Sequence, residues 1–120
     1  MNISSLAARN AYPLVGDKTM KAAVVALTEN LAAANAQHGV RASSILPGLN
    51  TPVAIAARVA QGTSRAEVIA ARDRRVPLRR PMGTGGDVAS AALFLHSDEA
   101  GFITGVSLAV DGGEGVSWGS

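Results

Sequence analysis

The hydrophobic and polar residues of this 120-residue chain alternate between strand-like and helix-like patterns. Residues 1–5 resemble the end of a buried strand, and residues 40–46 predict a second strand that Pro47-Gly48 ends. Residues 102–110 predict a third strand, in which branched apolar side chains alternate with smaller ones. Helical patterns fill the intervals between the strands. This order is typical of a parallel sheet with helical crossovers and predicts an α/β fold.

The longest helix is predicted over residues 17–37. Apolar side chains recur there at spacings of three and four and form one seam: Met20, Val24, Leu27, Leu31 and Ala34. Asp17 suits an N-cap or first-turn position, and Gly39 is the expected residue after the helix end. Alanines beside the seam would let another helix approach closely.

Shorter helices are predicted downstream. Residues 52–75 form one or two helices, with Ser64 as the cap of the second, and residues 87–95 form another that Asp87 caps. Three strands are few, because a parallel sheet needs both faces covered and both edges protected. We therefore expect a single domain over residues 1–120 that corresponds to the second half of a larger doubly wound domain.

Composition and charge exclude several functions. No apolar run approaches the roughly 20 residues that span a bilayer, so a membrane protein is not expected. The chain has no cysteine, which excludes disulfides, thiolate catalysis and cysteine metal sites. Its formal net charge of +2 gives no strong field for attracting nucleic acid. The first residues lack the basic and apolar stretches of a secretion signal, so a cytoplasmic location is the default expectation.

Histidines and arginines have simple interpretations in this sequence. His38 and His96 are isolated, so they lack metal-ligand spacing, and each suits the carboxyl end of a helix. A hydrolase with a serine nucleophile would have only these two histidines as bases. Five arginines lie between Arg72 and Arg80. A solvated helix end explains them, since no aromatic residues for stacking nucleic acid accompany them, and recognition of a substrate or cofactor phosphate is the alternative.

Several short motifs occur in a fixed order along nearly the whole chain. They are Asn2-Ile3-Ser4-Ser5, Lys21-Ala22-Ala23, His38-Gly39-Val40-Arg41, Leu46-Pro47-Gly48 with Thr51, Asp87-Val88-Ala89, Ile103-Thr104-Gly105 and Val110-Asp111-Gly112-Gly113. Together they resemble the carboxyl-terminal half of the short-chain dehydrogenase/reductase family, close to its 3-oxoacyl-carrier-protein-reductase-like members. The resemblance implies the C-terminal portion of a Rossmann-type doubly wound sheet that lacks the N-terminal dinucleotide-binding half. It also implies NAD or NADP as cofactor and oxidoreduction of a small carbonyl or secondary-alcohol substrate.

The resemblance assigns roles to individual residues. A serine that hydrogen-bonds the substrate falls on Ser5 by strand register, or on Ser4 by counting back from the position of the family's catalytic tyrosine. The lysine that activates this tyrosine and holds the nicotinamide ribose falls on Lys21. The segment that flanks the nicotinamide is matched by Pro47, Gly48 and Thr51. The interval between this glycine and threonine is one residue shorter than usual, which puts the threonine contact in doubt.

Asp17 occupies the position of the catalytic tyrosine, four residues before Lys21. In the family, a phenol becomes a useful acid-base because a fixed ammonium lies beside it. A carboxylate at this position would form an i,i+4 ion pair with Lys21 and could donate no proton unless burial kept it protonated. We interpret Asp17 as a helix-start residue, with a buried carboxylic acid as the alternative. Tyr12 lies on the preceding loop and is expected to pack there.

The family's glycine-rich phosphate turn has no counterpart in the sequence. The run from Gly83 to Gly86 precedes a helix, but no strand leads directly into it, and Asp87 would repel phosphate. We therefore expect the chain alone to bind a dinucleotide weakly or not at all and to be impaired as an enzyme. The alternative function is a non-catalytic module that self-associates through the helix over 17–37 and the strand over 102–110, and a homo-oligomer is expected.

Overall fold

The computed structural model describes residues 1–48 and 52–118. In these residues, three parallel strands form one sheet in chain order: β1 (Asn2–Ile3), β2 (Ser44–Pro47) and β3 (Ser107–Val110). Asn2 lies opposite Ser44, and Ser44 lies opposite Ser107. The predicted α/β fold with a parallel sheet and flanking helices is confirmed.

Strands β2 and β3 begin later than the sequence pattern indicated, at residues 44 and 107 instead of 40 and 102. The segments that precede them are joined by loop contacts. Ala42 N–H donates to Thr104 Oγ1 at 3.0 Å, and Gly105 N–H donates to the Ala42 carbonyl at 2.6 Å. Gly105 has a φ of 70°, which a strand does not accommodate, so the ladder starts only beyond it.

The described residues contain four α-helices: α1 (Val15–Asn35), α2 (Pro52–Ala60), α3 (Arg65–Asp73) and α4 (Gly85–His96). Helices α1 and α4 pack on the strands, and α2 and α3 pack on each other. The N-cap of α1 is Leu14, which makes no side-chain capping bond, and Asp17 lies in the first turn. A 3-10 turn extends α1 to residue 38, and Gly39 follows with a φ of 72°, as the sequence predicted.

The caps of α3 and α4 are capping boxes, in which a hydroxyl and an acidic side chain each accept a main-chain N–H. Ser64 caps α3 together with Glu67, which confirms the prediction for Ser64. The prediction that Asp87 caps α4 is wrong, because the N-cap is Thr84. Asp87 lies three residues into the box and accepts the Thr84 N–H at 2.7 Å.

The long helix α1 lies on the sheet through a stripe that differs from the predicted apolar seam. Thr28 and Ala32 are its buried residues, and Thr28 Oγ1 accepts a hydrogen bond from Asn2 Nδ2 at 2.9 Å. The seam residues Met20 and Leu27 keep 67% and 54% of their surface exposed. The contact of α1 with β1 is thus partly polar, while Ile45 and Leu46 of β2, both fully buried, form the centre of the core.

Within the described residues, no helix combines the length and the apolar character needed to cross a membrane.

Candidate active site

The carboxyl ends of the three strands lie at one edge of the sheet, because all three strands are parallel. Ser4 and Ser5 follow β1, Gly48 follows β2, and Asp111 follows β3. In open α/β sheets, ligands bind in the crevice outside this edge. The structure therefore brings together the segments that the motifs identified as candidate site residues.

The two serines after β1 have different environments. Ser4 is buried, with 4% of its surface exposed, and its hydroxyl donates to the Lys21 carbonyl at 2.7 Å. Ser5 is partly exposed, and its Oγ accepts the Ala7 N–H at 3.1 Å, which caps a 3-10 turn over Leu6–Ala8. The hydroxyl proton of Ser5 has no acceptor in residues 1–48 and 52–118. The Ser4 hydroxyl is thus used in a hydrogen bond to α1, whereas the Ser5 hydroxyl can still donate its proton to another group.

Asp17 does not pair with Lys21. The ion pairs in the described part of the chain are Arg75 with Glu114 and Arg80 with Asp87, so the predicted i,i+4 pair is not formed. Asp17 is exposed, and an exposed pair of this kind gains only about 0.3–0.5 kcal/mol, too little to fix two mobile side chains. The exposure of Asp17 also removes the alternative of a buried carboxylic acid.

Lys18 holds the loop between β1 and α1, a role that sequence reasoning missed. Its Nζ donates to the carbonyls of Asn10 at 2.7 Å, Ala7 at 3.2 Å and Ala8 at 3.3 Å. A lysine in the first turn of a helix is usually solvated, and the three acceptors converge only once the loop is folded. Tyr12 lies in the same loop, 42% exposed.

Gly48 lies against acidic residues that follow β3. A Cβ on Gly48 would lie 2.7 Å from Glu114 Oε2 and 2.9 Å from Asp111 Cβ, so only glycine allows this approach. Pro47 and Gly48 therefore lie at the carboxyl edge of the sheet. Thr51, the third residue of the predicted nicotinamide-flanking segment, lies outside the described residues.

Glu114 has the clearest electrostatic perturbation at this edge. Burial is the largest influence on its carboxyl and raises its pKa, and the neighbouring Asp111 charge acts in the same direction. Arg75 and Arg72 lower the pKa without outweighing burial. Arg75 Nη2 is 3.6 Å from Glu114 Oε1, which is longer than a hydrogen bond. The carboxylate of Glu114 is thus only partly compensated.

A cavity of about 340 Å³ lies beside Gly48 and Asp111, under the loop that leads to α4. Arg80 and Asp87 form part of its wall and approach each other to 4.0 Å. Hydrogen bonds from Thr84 are the main influence that lowers the Asp87 pKa. Of the N–H groups at the start of α4, this capping box engages those of Thr84 and Asp87. The cavity volume is in the range of small-ligand sites.

Among the described residues, no cluster of three or more histidine, aspartate or glutamate side chains is placed to hold a metal ion.

Comparisons with known proteins match almost the whole chain. The sequence profile of the family described as "Enoyl-(Acyl carrier protein) reductase" matches residues 1–114. The chain is 40% identical over 106 residues to 2-(S)-hydroxypropyl-CoM dehydrogenase 3 of Xanthobacter autotrophicus, covering 83% of this chain and 41% of that protein. The chain spans about two fifths of the length of the curated relatives it matches.

Solved structures also match nearly the whole chain. The ligand-free aldohexose dehydrogenase of Thermoplasma acidophilum superposes with a TM-score of 0.86 at 34% identity, over 99% of this chain and 48% of that one. An oxidoreductase of the short-chain dehydrogenase/reductase family from Burkholderia thailandensis superposes with a TM-score of 0.82 at 36% identity, over 93% of this chain and 42% of that one.

Proposed function

Because the chain belongs to the short-chain dehydrogenase/reductase family, we propose that it takes part in NAD(P)-dependent oxidoreduction of a small carbonyl or secondary-alcohol compound. The observation that carries this proposal is the 2.7 Å bond from Ser4 to the Lys21 carbonyl. It holds the serine pair and the lysine helix together at the sheet edge that also presents Gly48.

In this proposal, each residue has a distinct task. Ser5 hydrogen-bonds the reacting oxygen of the substrate, because its hydroxyl retains a donor, and Ser4 positions α1. Lys21 holds the ribose of the nicotinamide nucleotide. Pro47 and Gly48 flank the nicotinamide, which supplies or accepts the hydride when bound, and Thr51 keeps its role only as a prediction.

Proton transfer is the step that this chain performs poorly in the proposed reaction. The tyrosine position holds Asp17, which is exposed and lacks the phenol that serves as proton donor in the family. We expect Asp17→Tyr to raise ketone reduction above the native level under conditions that saturate the cofactor. A tyrosine variant that stays at the native rate, despite bound cofactor, would mean that Asp17 does not occupy the proton-donor position.

The binding half of the proposal is tested with the native chain. Calorimetric titration with NADH and NADPH, up to millimolar concentration, should give weak saturable binding of at least one of them. Lys21→Gln should lower this affinity several-fold, since it removes the ammonium that faces the ribose. Arg65→Gln, an equal change of charge at the start of α3, should have no effect. The absence of binding by both nucleotides would exclude the isolated chain as an oxidoreductase.

The second candidate is a non-catalytic module that self-associates, and the exposed apolar side chains of α1 favour it. Met20, Leu27 and Leu31 keep 67%, 54% and 42% of their surface exposed on one side of the helix. A row of this kind is typical of a helix that packs on another subunit. Strand β3 is a weaker candidate for a self-association surface. Its Ser107 carbonyl, which β2 does not use, already accepts a hydrogen bond from Arg9 Nη2.

A further inference from the structure

Two arginines near the end of α3 lie at the same sheet edge but have no task in the reaction proposed above. Arg72 and Arg75 are three residues apart, which places them on one side of the turn, and Arg75 N–H donates to the Arg72 carbonyl at 2.9 Å. Arg74 lies between them and is exposed. The arginine run that the sequence suggested to be a solvated helix end thus has a side directed towards Glu114.

The side chain of Arg72 has an unsatisfied hydrogen-bond donor. Its Nε is buried and has no partner among the residues that the structure describes. A buried donor without an acceptor is costly, and a charged donor more so. An oxygen ligand beside Arg72 would remove this cost, so the guanidinium is suited to receive an anion.

Glu114 is a carboxylate whose charge interacts with both arginines, and it fits its position poorly. Its Oε1 remains 3.6 Å from Arg75, while its Oε2 lies against Gly48. Burial and the adjacent Asp111 both disfavour its charge. Because its pairing is weak, another carboxylate or a phosphate could replace it at small cost.

We propose that Arg72 and Arg75 form a subsite for an anionic group of the substrate, a carboxylate or a phosphate, and that Glu114 occupies this subsite until substrate binds. This inference rests on the proposed function, and it narrows the substrate class to anionic ketones and alcohols. Glu114 contacts Gly48, which flanks the proposed nicotinamide position, so an anion held there lies next to the reacting group.

The test measures anion binding directly on the full chain. Inorganic phosphate and succinate are titrated separately, at constant ionic strength, and followed by nuclear magnetic resonance of the arginine Nε–H groups and by calorimetry. We expect saturable binding of at least one probe with a shift of the Arg72 signal. Glu114→Gln should tighten binding several-fold, because the internal competitor loses its charge. Arg72→Gln and Arg75→Gln should each weaken it about tenfold.

Arg74→Gln is the matched control, since it removes the same charge from the same turn and should leave affinity unchanged. Equal losses in the Arg74 and Arg72 variants would show mere charge attraction and overturn the subsite. So would an unaltered affinity of Glu114→Gln, or the absence of saturable binding by both probes. If Arg72→Gln fails to fold by circular dichroism, Arg72→Lys, which keeps the charge but lacks Nε–H, should still bind more weakly than the native chain.

The two probes also identify the group: tighter phosphate binding indicates a phosphorylated substrate, and tighter succinate binding a carboxylic acid. The phosphate and succinate titrations contain no nicotinamide nucleotide, so their result is independent of the test for cofactor binding. A chain that binds nucleotide but no anion keeps the oxidoreductase proposal and loses the subsite.

Discussion

Arg79 is the only residue other than glycine with a positive φ in the described ranges, at 53°. In this left-handed region a Cβ crowds the following carbonyl, at a cost of roughly 1–2 kcal/mol. We expect Arg79→Gly to stabilise the fold by about 1 kcal/mol, because the relief of strain exceeds the entropy that glycine adds to the unfolded chain. Thermal unfolding should show a rise in Tm of about 4 °C.

Arg74→Gly provides the comparison for this change. Arg74 has a helical φ of −61°, so glycine relieves no strain there and only increases the freedom of the unfolded chain. It should therefore lower the stability. A fall in Tm for both variants would contradict the strain at residue 79.

Glu114 makes a pH-dependent contribution to stability. Its folded-state pKa is raised by burial, so the folded state favours the protonated form. The stability from this group is fully present below the ordinary glutamate pKa and is lost as the pH rises through the raised folded value. Glu114→Gln should therefore be more stable than the native chain at pH 7. Urea unfolding at several pH values should show that the free energies of unfolding of the native chain and of Glu114→Gln become equal in acid. Equal stability of the two proteins at pH 7 would contradict this prediction.

At the scale of single elements, the two capping boxes define where α3 and α4 begin. Thr84 Oγ1 accepts from the Asp87 N–H at 3.4 Å, and Ser64 Oγ accepts from the Glu67 N–H at 3.2 Å. We expect Thr84→Ala and Ser64→Ala each to cost about 1 kcal/mol, measured by urea unfolding. Thr63→Ala, at a neighbouring hydroxyl that caps no helix, should cost less. Equal losses at Thr63 and Ser64 would mean that the box adds nothing.

The long helix α1 shows how an element can be predicted while its orientation cannot. Its apolar spacing correctly indicated a helix that stops before Gly39, yet the stripe on the sheet contains the polar Thr28. The bond from Asn2 to Thr28 and that from Ser4 to Lys21 fix this orientation. The two residues that each hydrogen bond joins are far apart in the sequence, so the local spacing of residues does not indicate which of them will pair.

For the whole molecule, the described chain is less compact than its length allows. Its radius of gyration is 15.8 Å, with extents of 52, 30 and 28 Å, whereas a compact chain of this length has a radius near 14 Å. Apolar residues on several surfaces remain exposed, including Leu27 and Phe102. A surface of this kind favours association with another chain.

We expect the native chain to be a dimer or larger in solution, as measured by light scattering. Leu27→Gln with Leu31→Gln should shift the mass towards the monomer, because the two side chains are the core of the exposed α1 row. Val40→Gln, at a loop residue that is 53% exposed, is the matched apolar-to-polar control and should leave the mass unchanged. A native chain that is monomeric at high concentration would remove the self-association candidate.

The sequence by itself determined the α/β element order, the stop at Gly39, the cap at Ser64 and the motifs that carry the family. These features depend on residues a few positions apart, whose spacing and backbone preferences are local. Only the tertiary structure decided which face of α1 is buried, that Ser4 is committed to α1, that Lys18 holds the loop, and that Arg72 and Arg75 lie near Glu114. The physical reason is that burial and long-range hydrogen bonds depend on which distant segments meet, and no local pattern specifies that.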